Sequence, residues 1–234
     1  MPDRPYTLLS CAVSIDGYLD DASPDRLILS GPEDLDEVDA LRAAADAILV
    51  GAGTVRADNP RLLVRDPARI AAREAAGQPP HPLRVTMTAT GDLNPAASFF
   101  AGPGAPLVYV ASQAAAAAAG KFKDRAVVID AGPDLSLSTV LQDLYLERSV
   151  ATVLIEGGAR ILRDVLAGGL ADELRLAIAP FFVADPAAPR FALPARYPNT
   201  SANPMTLTSL RQVGAVAVHR YRLTPAGQGD VIAR

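Results

Sequence analysis

Ala47-Ile48-Leu49-Val50-Gly51-Ala52-Gly53-Thr54 is the stretch on which the fold turns. A short apolar run, partly β-branched, ends abruptly in a Gly-x-Gly turn. That reads as a strand buried on both faces, followed by flexible backbone. Val150–Ile155 repeats the form and ends in Glu156-Gly157-Gly158. Further apolar runs lie at Tyr6–Val13, Leu83–Met87, Leu107–Val110 and Ala126–Ile129. Helical patterns fall between several of them, at Glu33–Ala45, Ala114–Ala119, Leu137–Leu146 and Ala159–Leu166. Strands alternating with helices predict a mostly parallel sheet covered by helices. The last third changes character. Glu173–Ala179, Met205–Val213 and Val216–Leu223 read as strands, with Gly214-Ala215 as a hairpin turn, so an antiparallel edge is expected there. Asp185–Pro204 is proline-rich and reads as a long irregular loop. The expectation is an α/β fold: a mixed, mostly parallel sheet with flanking helices and an antiparallel C-terminal edge. No linker and no internal repeat is visible. One domain over 1–224 and a loose tail over 225–234 are expected.

Composition narrows the function. Half of the 234 residues are hydrophobic and 21% are charged, which is ordinary globular usage. A net charge of −4 argues against a general nucleic-acid binder. Cys11 is the single cysteine, so neither an intrachain disulfide nor a cysteine zinc site can form. His81 and His219 are far apart in sequence, and no metal site is expected. No apolar run reaches about 18 residues, the length of a membrane-spanning helix. Met1-Pro2-Asp3-Arg4-Pro5 lacks the features of a secretory leader, so a cytoplasmic protein without membrane or nucleic-acid partners is expected.

One helix start can be read closely. Ser30 followed by Pro32 and Glu33 has the form of a capping box. The helix then puts Leu35, Val38, Leu41 and Ala45 on one face, with Arg42 inside that stripe. A guanidinium there needs a partner: either a structural carboxylate, the rim of the fold, or an anionic ligand.

Three stretches could carry chemistry. Gly51-Ala52-Gly53-Thr54 and Glu156-Gly157-Gly158 both follow strands, where backbone amides can approach a phosphate. Either can equally be a plain tight turn. The full dinucleotide fingerprint fails, because Arg56 stands where its third glycine belongs. Asp58-Asn59-Pro60-Arg61-Leu62-Leu63-Val64-Arg65 follows the first turn and brings arginine forks suited to phosphate, or to a solvated loop. There is no Gly-x-Ser-x-Gly elbow, no Walker loop and no His-Glu-x-x-His helix. Hydride transfer suits this profile, since a cofactor carries the difficult chemistry and the protein positions it.

Taken in order, Ser14-Ile15-Asp16-Gly17, Leu41-Arg42-Ala43, Ala47–Val55, Asp58-Asn59-Pro60 and Ile155–Gly158 resemble the pyrimidine reductase domain of riboflavin biosynthesis, within the dihydrofolate-reductase-like superfamily. Gly169–Leu174 and Ile178-Ala179-Pro180 extend the match. The resemblance implies an NADPH-dependent oxidoreductase. It would reduce a substrate of the 5-amino-6-(5-phosphoribosylamino)uracil type to its ribitylamino product, with hydride going to C1′ of the opened sugar. It also implies a dihydrofolate-reductase-like fold and a homodimer. Alternatives are a reductase of the same fold acting on a pterin-like or secondary-metabolism heterocycle, and a non-catalytic nucleotide-binding module.

Carried across residue by residue, the resemblance puts Gly53, Thr54 and Asp58 on the dinucleotide. Gly157, Gly158, Ala159, Arg160 and Ile161 would face its phosphates, and Ala12 its nicotinamide. Arg42, Leu62, Arg65 and Glu156 would hold the phosphorylated substrate. Glu156 or Asp16 would orient the opened sugar or relay a proton, with water as the other donor. Apart from the resemblance, the sequence shows no unambiguous arginine for a 2′-phosphate and does not settle NADPH over NADH; Arg84, the Thr86–Thr90 segment and Ser112 are the candidates for that contact. Two positions depart from the riboflavin enzymes: Tyr18 stands where they commonly have Lys or Arg, and Ile28 where they have Trp.

Overall fold

The computed structural model describes residues 3–23 and 27–223. The chain runs β1 (Tyr6–Ser14), α1 (Pro32–Ala44), β2 (Ala47–Gly51), α2 (Ala52–Asp58), α3 (Pro67–Ala75), β3 (Leu83–Thr88), a 3-10 turn (Ser98–Phe100), β4 (Leu107–Val110), α4 (Ser112–Phe122), β5 (Val127–Asp130), α5 (Leu137–Leu146), β6 (Thr152–Gly157), α6 (Ala159–Ala167), β7 (Glu173–Ala179), β8 (Thr206–Val213) and β9 (Val216–Arg222).

Contacts divide the chain into two compact units. The first is Asp39–Gly158 together with the residues up to Pro5. Its strands lie in the order β5-β4-β3-β2-β6, and neighbouring strands pair in parallel. β2 and β4 are buried along their whole length, which is why they read as continuous apolar runs without alternation. The second unit is Tyr6–Val38 with the chain from Ala159 onward. There β1 and β7 pair in parallel, and β7-β9-β8 continue antiparallel. The mostly parallel sheet with an antiparallel C-terminal edge is therefore as the sequence predicts. The two units are interleaved along the chain, so no linker separates them to be read. The expected tail, 225–234, lies outside the described residues.

Most element boundaries agree with the sequence reading to within a residue or two. β6 starts later than Val150, because the Val150 N–H is drawn back to the Leu144 carbonyl (2.9 Å). The Asp46 carboxylate also takes the N–H groups of Ala151 and Thr152 (3.0 and 2.8 Å). α2 and α3 go beyond the reading, which treated 51–65 as turn and loop. Yet α3 begins on a legible signal: Asp66 accepts from the Ala68 and Arg69 amides, and Pro67 opens the first turn.

Two expectations for α1 are corrected. Ser30 does not cap it. Pro32 fixes the first helical φ, and the first backbone bond runs from Leu35 N–H to the Gly31 carbonyl (3.0 Å), one residue later than a Ser30 cap requires. The buried face is also rotated. Leu35 is 37% exposed, whereas Asp34 and Asp39 are each 1% exposed. Both aspartates face arginines contributed by other segments, and that pairing outweighs apolar burial of Leu35.

Candidate active site

β2 and β6 lie side by side in the first unit, with Val50 opposite Gly157 across a register shift. Their exit turns therefore meet. Gly158 holds φ +96°, and a Cβ built there would come 2.9 Å from Thr54 Oγ1. This position requires glycine on both counts, conformation and contact. Gly157 also has a positive φ (+131°), with nothing within 4 Å of a notional Cβ. A Cβ at Gly53 likewise meets nothing within 4 Å, and no strained φ requires glycine there. α2 starts at Gly51 without a side-chain cap, and α6 starts directly after Gly158. Asp58 is half-buried in the last turn of α2, and Asn59 ends that helix in the left-handed conformation (φ 45°). The Asn59 side chain accepts from the Ser98 amide at 2.6 Å.

Arg42 finds a carboxylate. Its Nε and Nη2 donate to the two oxygens of Glu156, each at 2.6 Å. Both side chains are largely buried, at 18% and 12% exposure. Burial works against the Arg42 charge, but Glu156 more than compensates and lifts its pKa above the ordinary value. Arg42 Nη1 also reaches the Leu63 carbonyl (3.4 Å). Asp39, on the same helix, secures the neighbouring backbone by accepting from the amides of Arg65 (2.7 Å) and Asp66 (3.1 Å). It also takes Arg69 Nη1 at 3.0 Å and Arg65 Nε at 3.5 Å. Burial works to raise the Asp39 pKa, but these donors hold it below the usual carboxylate range. Between the two anchors Leu62 is buried in a left-handed conformation (φ 54°). The Arg65 side chain stays 56% exposed. The three loop arginines do not act alike: Arg56 is tied to the Asp92 carbonyl (2.9 Å), Arg65 to Asp39, and Arg61 is exposed.

In the second unit Ala12 sits on β1 opposite Ala177 and packs on the cluster of Ala177, Ala179, Val213, Val216 and Val218. Asp16 accepts from Ser14 Oγ (2.5 Å) and from the amides of Val183 (3.2 Å) and Ala184 (2.8 Å). Desolvation opposes its charge, but these donors keep its pKa below the usual range. Asp16 thus clips two turns together. Ala159 and Arg160 open α6, with Arg160 exposed and Ile161 buried.

Of the residues offered for a 2′-phosphate, Arg84, Thr88 and Ser112 have other tasks, whereas Thr86 Oγ1 is buried without a hydrogen-bond partner. Arg84 is 2% exposed and donates only to backbone carbonyls, those of Phe99 (2.6 Å), Ala101 (2.5 Å), Pro103 (3.1 Å) and Gly104. It therefore shapes the 99–104 loop and is removed as a phosphate ligand. Thr88 Oγ1 accepts from the Gly91 amide (3.2 Å), and Ser112 Oγ donates to Asp130 (2.7 Å). Among the described residues no group of three or more His, Cys, Asp or Glu is placed to hold a metal ion. No helix among them is long and apolar enough to cross a membrane.

The RibD C-terminal domain family matches residues 5–218 of this chain. The chain belongs to that family. A 2,5-diamino-6-ribosylamino-4(3H)-pyrimidinone 5′-phosphate reductase of Archaeoglobus fulgidus is 35% identical over 181 residues, 77% of this chain and 82% of that protein. The protein of the same description from Methanothermobacter thermautotrophicus is 35% identical over 189 residues, 77% of this chain and 80% of that one. Among solved structures, a pyrimidine reductase-like protein of Corynebacterium diphtheriae superposes with TM-score 0.79 at 23% identity, covering 94% of this chain and 92% of that one. Acinetobacter baumannii RibD gives TM-score 0.78 at 24% identity over 95% of this chain, which spans only 58% of that longer protein. Dihydrofolate reductase from Enterococcus faecalis shares the fold more distantly, with TM-score 0.50.

Sequence reasoning about this RibD-type chain missed two partners. Asp39 lies one helical turn before Arg42, a spacing that could have marked both as one functional face. The Tyr18–Arg190 pair joins residues 172 apart, and no local pattern announces it.

Proposed function

We propose that this chain is an NADPH-dependent reductase of a ribosylaminopyrimidine 5′-phosphate, forming the ribitylamino product in riboflavin biosynthesis. The observation that carries the reading is the meeting of the two strand-end turns at Thr54 and Gly158. There Gly158 takes a left-handed conformation (φ +96°) in contact with Thr54, a form suited to holding a diphosphate through backbone N–H groups. The absence of a Cβ at Gly158 lets the two exit turns come this close, which supports a cofactor held there through backbone N–H groups. Gly53, Thr54 and Asp58 would hold the dinucleotide. Gly157, Gly158 and the start of α6 from Ala159 through Arg160 to Ile161 would face its diphosphate, and Ala12 its nicotinamide. When bound, the nicotinamide supplies the hydride.

For the substrate, Leu62 and Arg65 are presented by a loop that Asp39 and Arg42 hold from α1. Arg65 offers an exposed guanidinium beside Asp39, suited to the phosphate. Arg42 and Glu156 act as one unit, in which Arg42 fixes the carboxylate and Glu156 orients the sugar hydroxyls. Asp16 keeps a positioning task, and the proton comes from water. A homodimer fits the edge of the second unit. A register shift between Leu207 and Ser209 turns Leu207 and Leu210 to the same face as Tyr221 and His219. The two leucines are 50% and 59% exposed there.

The test is turnover. Purified protein with NADPH and 2,5-diamino-6-ribosylamino-4(3H)-pyrimidinone 5′-phosphate should lose nicotinamide absorbance in proportion to the ribityl product formed. NADPH binding without oxidation by any such pyrimidine would leave the nucleotide-binding module instead.

A further inference from the structure

Thr54 and Arg56, both in the first unit, leave α2 on opposite flanks. Two residues along a helix lie about 200° apart around its axis and about 3 Å apart along it. Thr54 Oγ1 faces Gly158, at the end of β6. Arg56 turns the other way, and its Nη1 donates to the Asp92 carbonyl at 2.9 Å, in the turn that leaves β3. The sheet agrees, since β2, which leads into α2, lies between β3 and β6.

The turn that receives Arg56 is held by its own residues. Thr88 Oγ1 accepts from the Gly91 amide (3.2 Å), and Thr90 Oγ1 accepts from the Asp92 amide (3.3 Å). Gly91 takes φ +69°, and Lys121 Nζ donates to its carbonyl (3.3 Å). The Asp92 carbonyl is therefore a fixed acceptor, and it orients a guanidinium that is otherwise exposed. Asp92 gives Arg56 its carbonyl alone, and among the described residues no carboxylate pairs with Arg56. Nε and Nη2 keep donors for an anion.

Covalent structure limits how far a second phosphate can lie from the cradle. In NADPH one ribose carries the diphosphate on its 5′ oxygen and the extra phosphate on its 2′ oxygen. The 2′-phosphate thus falls within one sugar of the diphosphate. With the diphosphate at Thr54 and Gly158, a ribose on the β3 flank of α2 brings its 2′-phosphate to Arg56. The other arginines of the first unit are committed elsewhere: Arg42 to Glu156, Arg65 to Asp39, Arg73 to carbonyls at the end of α1 and Arg84 to the 99–104 loop. Arg61 lies past Asn59, where the chain has left α2.

We propose that Arg56 is the residue that selects NADPH over NADH, its free donors taking the 2′-phosphate while the Asp92 carbonyl positions it. The cradle rests on the reductase reading above; the oriented guanidinium on the same helix, without a carboxylate partner, rests on the geometry alone.

Fluorescence titration of the full chain with NADPH and with NADH compares wild type, Arg56→Gln, Arg56→Lys and Arg160→Gln, with thermal unfolding in parallel. Wild type should bind NADPH more tightly than NADH. Arg56→Gln should raise the NADPH Kd about tenfold or more, the usual loss for a hydrogen bond to a charged group. Its NADH Kd and unfolding temperature should stay near wild type. Arg56→Lys should recover part of the loss. Arg160→Gln, at the start of α6, should leave the ratio of the two affinities unchanged. An unchanged NADPH Kd in Arg56→Gln, an equal loss for both dinucleotides, or a loss of selectivity in Arg160→Gln alone overturns the proposal and leaves the reductase reading standing. Should wild type bind neither dinucleotide, the reductase reading fails. Calorimetric titration with adenosine 2′,5′-bisphosphate and with 5′-AMP then decides Arg56 separately: weaker binding of the bisphosphate alone by Arg56→Gln supports it, and equal or absent binding in both proteins overturns it.

Discussion

Arg42 on α1 and Glu156 at the end of β6 meet through two parallel hydrogen bonds of 2.6 Å each, 114 residues apart in the chain. A fork of this kind fixes angle as well as distance. It also removes Arg42 from the set of free cations, so each side chain is defined by the other.

This coupling is measurable. Arg42→Ala and Glu156→Gln should each lower kcat/KM for the phosphorylated pyrimidine, because each strands a largely buried partner. The double variant should lose less than the sum of the two, with a coupling energy of about 1–3 kcal/mol. Additive losses would mean that the two residues act independently.

Glycine is required unequally at the two turns. Gly158→Ala must place a Cβ 2.9 Å from Thr54 Oγ1 at φ +96°, whereas Gly53→Ala meets nothing within 4 Å. Gly158→Ala should cost about 1–3 kcal/mol in stability and weaken NADPH binding about tenfold or more. Gly53→Ala should leave the unfolding temperature unchanged. Fluorescence titration with NADPH and thermal unfolding check both.

Asp39 ties stability to pH. Its carboxyl titrates below the ordinary carboxylate range in the folded protein, so the stability it contributes is present above the unfolded value of about 3.9 and is lost as pH falls through the folded value. Asp39→Asn should destabilise by about 1–3 kcal/mol at neutral pH, and the gap to wild type should narrow below about pH 4. The variant should also raise KM for the pyrimidine, since Asp39 accepts from the Arg65 and Asp66 amides. Denaturant unfolding at several pH values and steady-state kinetics separate the two effects.

Arg84 is a structural counterexample. Arg84→Ala leaves the carbonyls of the 99–104 loop without their donor and should cost about 2–4 kcal/mol in stability. Its NADPH Kd should stay near wild type wherever the variant remains folded. A selective loss of NADPH over NADH affinity would return Arg84 to the cofactor site.

The legible features were those that repeat locally. Leu107–Val110 and Leu137–Leu146 match their apolar patterns residue for residue. Gly214 marks the hairpin between β8 and β9. The strand-end glycines of the site were visible for the same reason: a turn is encoded by its own residues. Pairings across the chain were not. Leu35 looks like a core residue by spacing, yet Asp34 takes the buried side because Arg175, on β7, faces it. α3 has only a short start signal, the Asp66 cap and Pro67, and no long apolar stripe behind it. Arg190 lay in a stretch read as irregular, and only the fold brings it over the Tyr18 ring.

The account stands or falls on hydride transfer to the phosphorylated pyrimidine. NADPH deuterated at C4 on one face and then on the other, each incubated with the protein and the ribosylaminopyrimidine 5′-phosphate, should yield from one isomer a ribityl product carrying one deuterium at C1′, with Gly158→Ala sharply slowed. Product without deuterium from both isomers, or no product while NADPH binds normally, would contradict it.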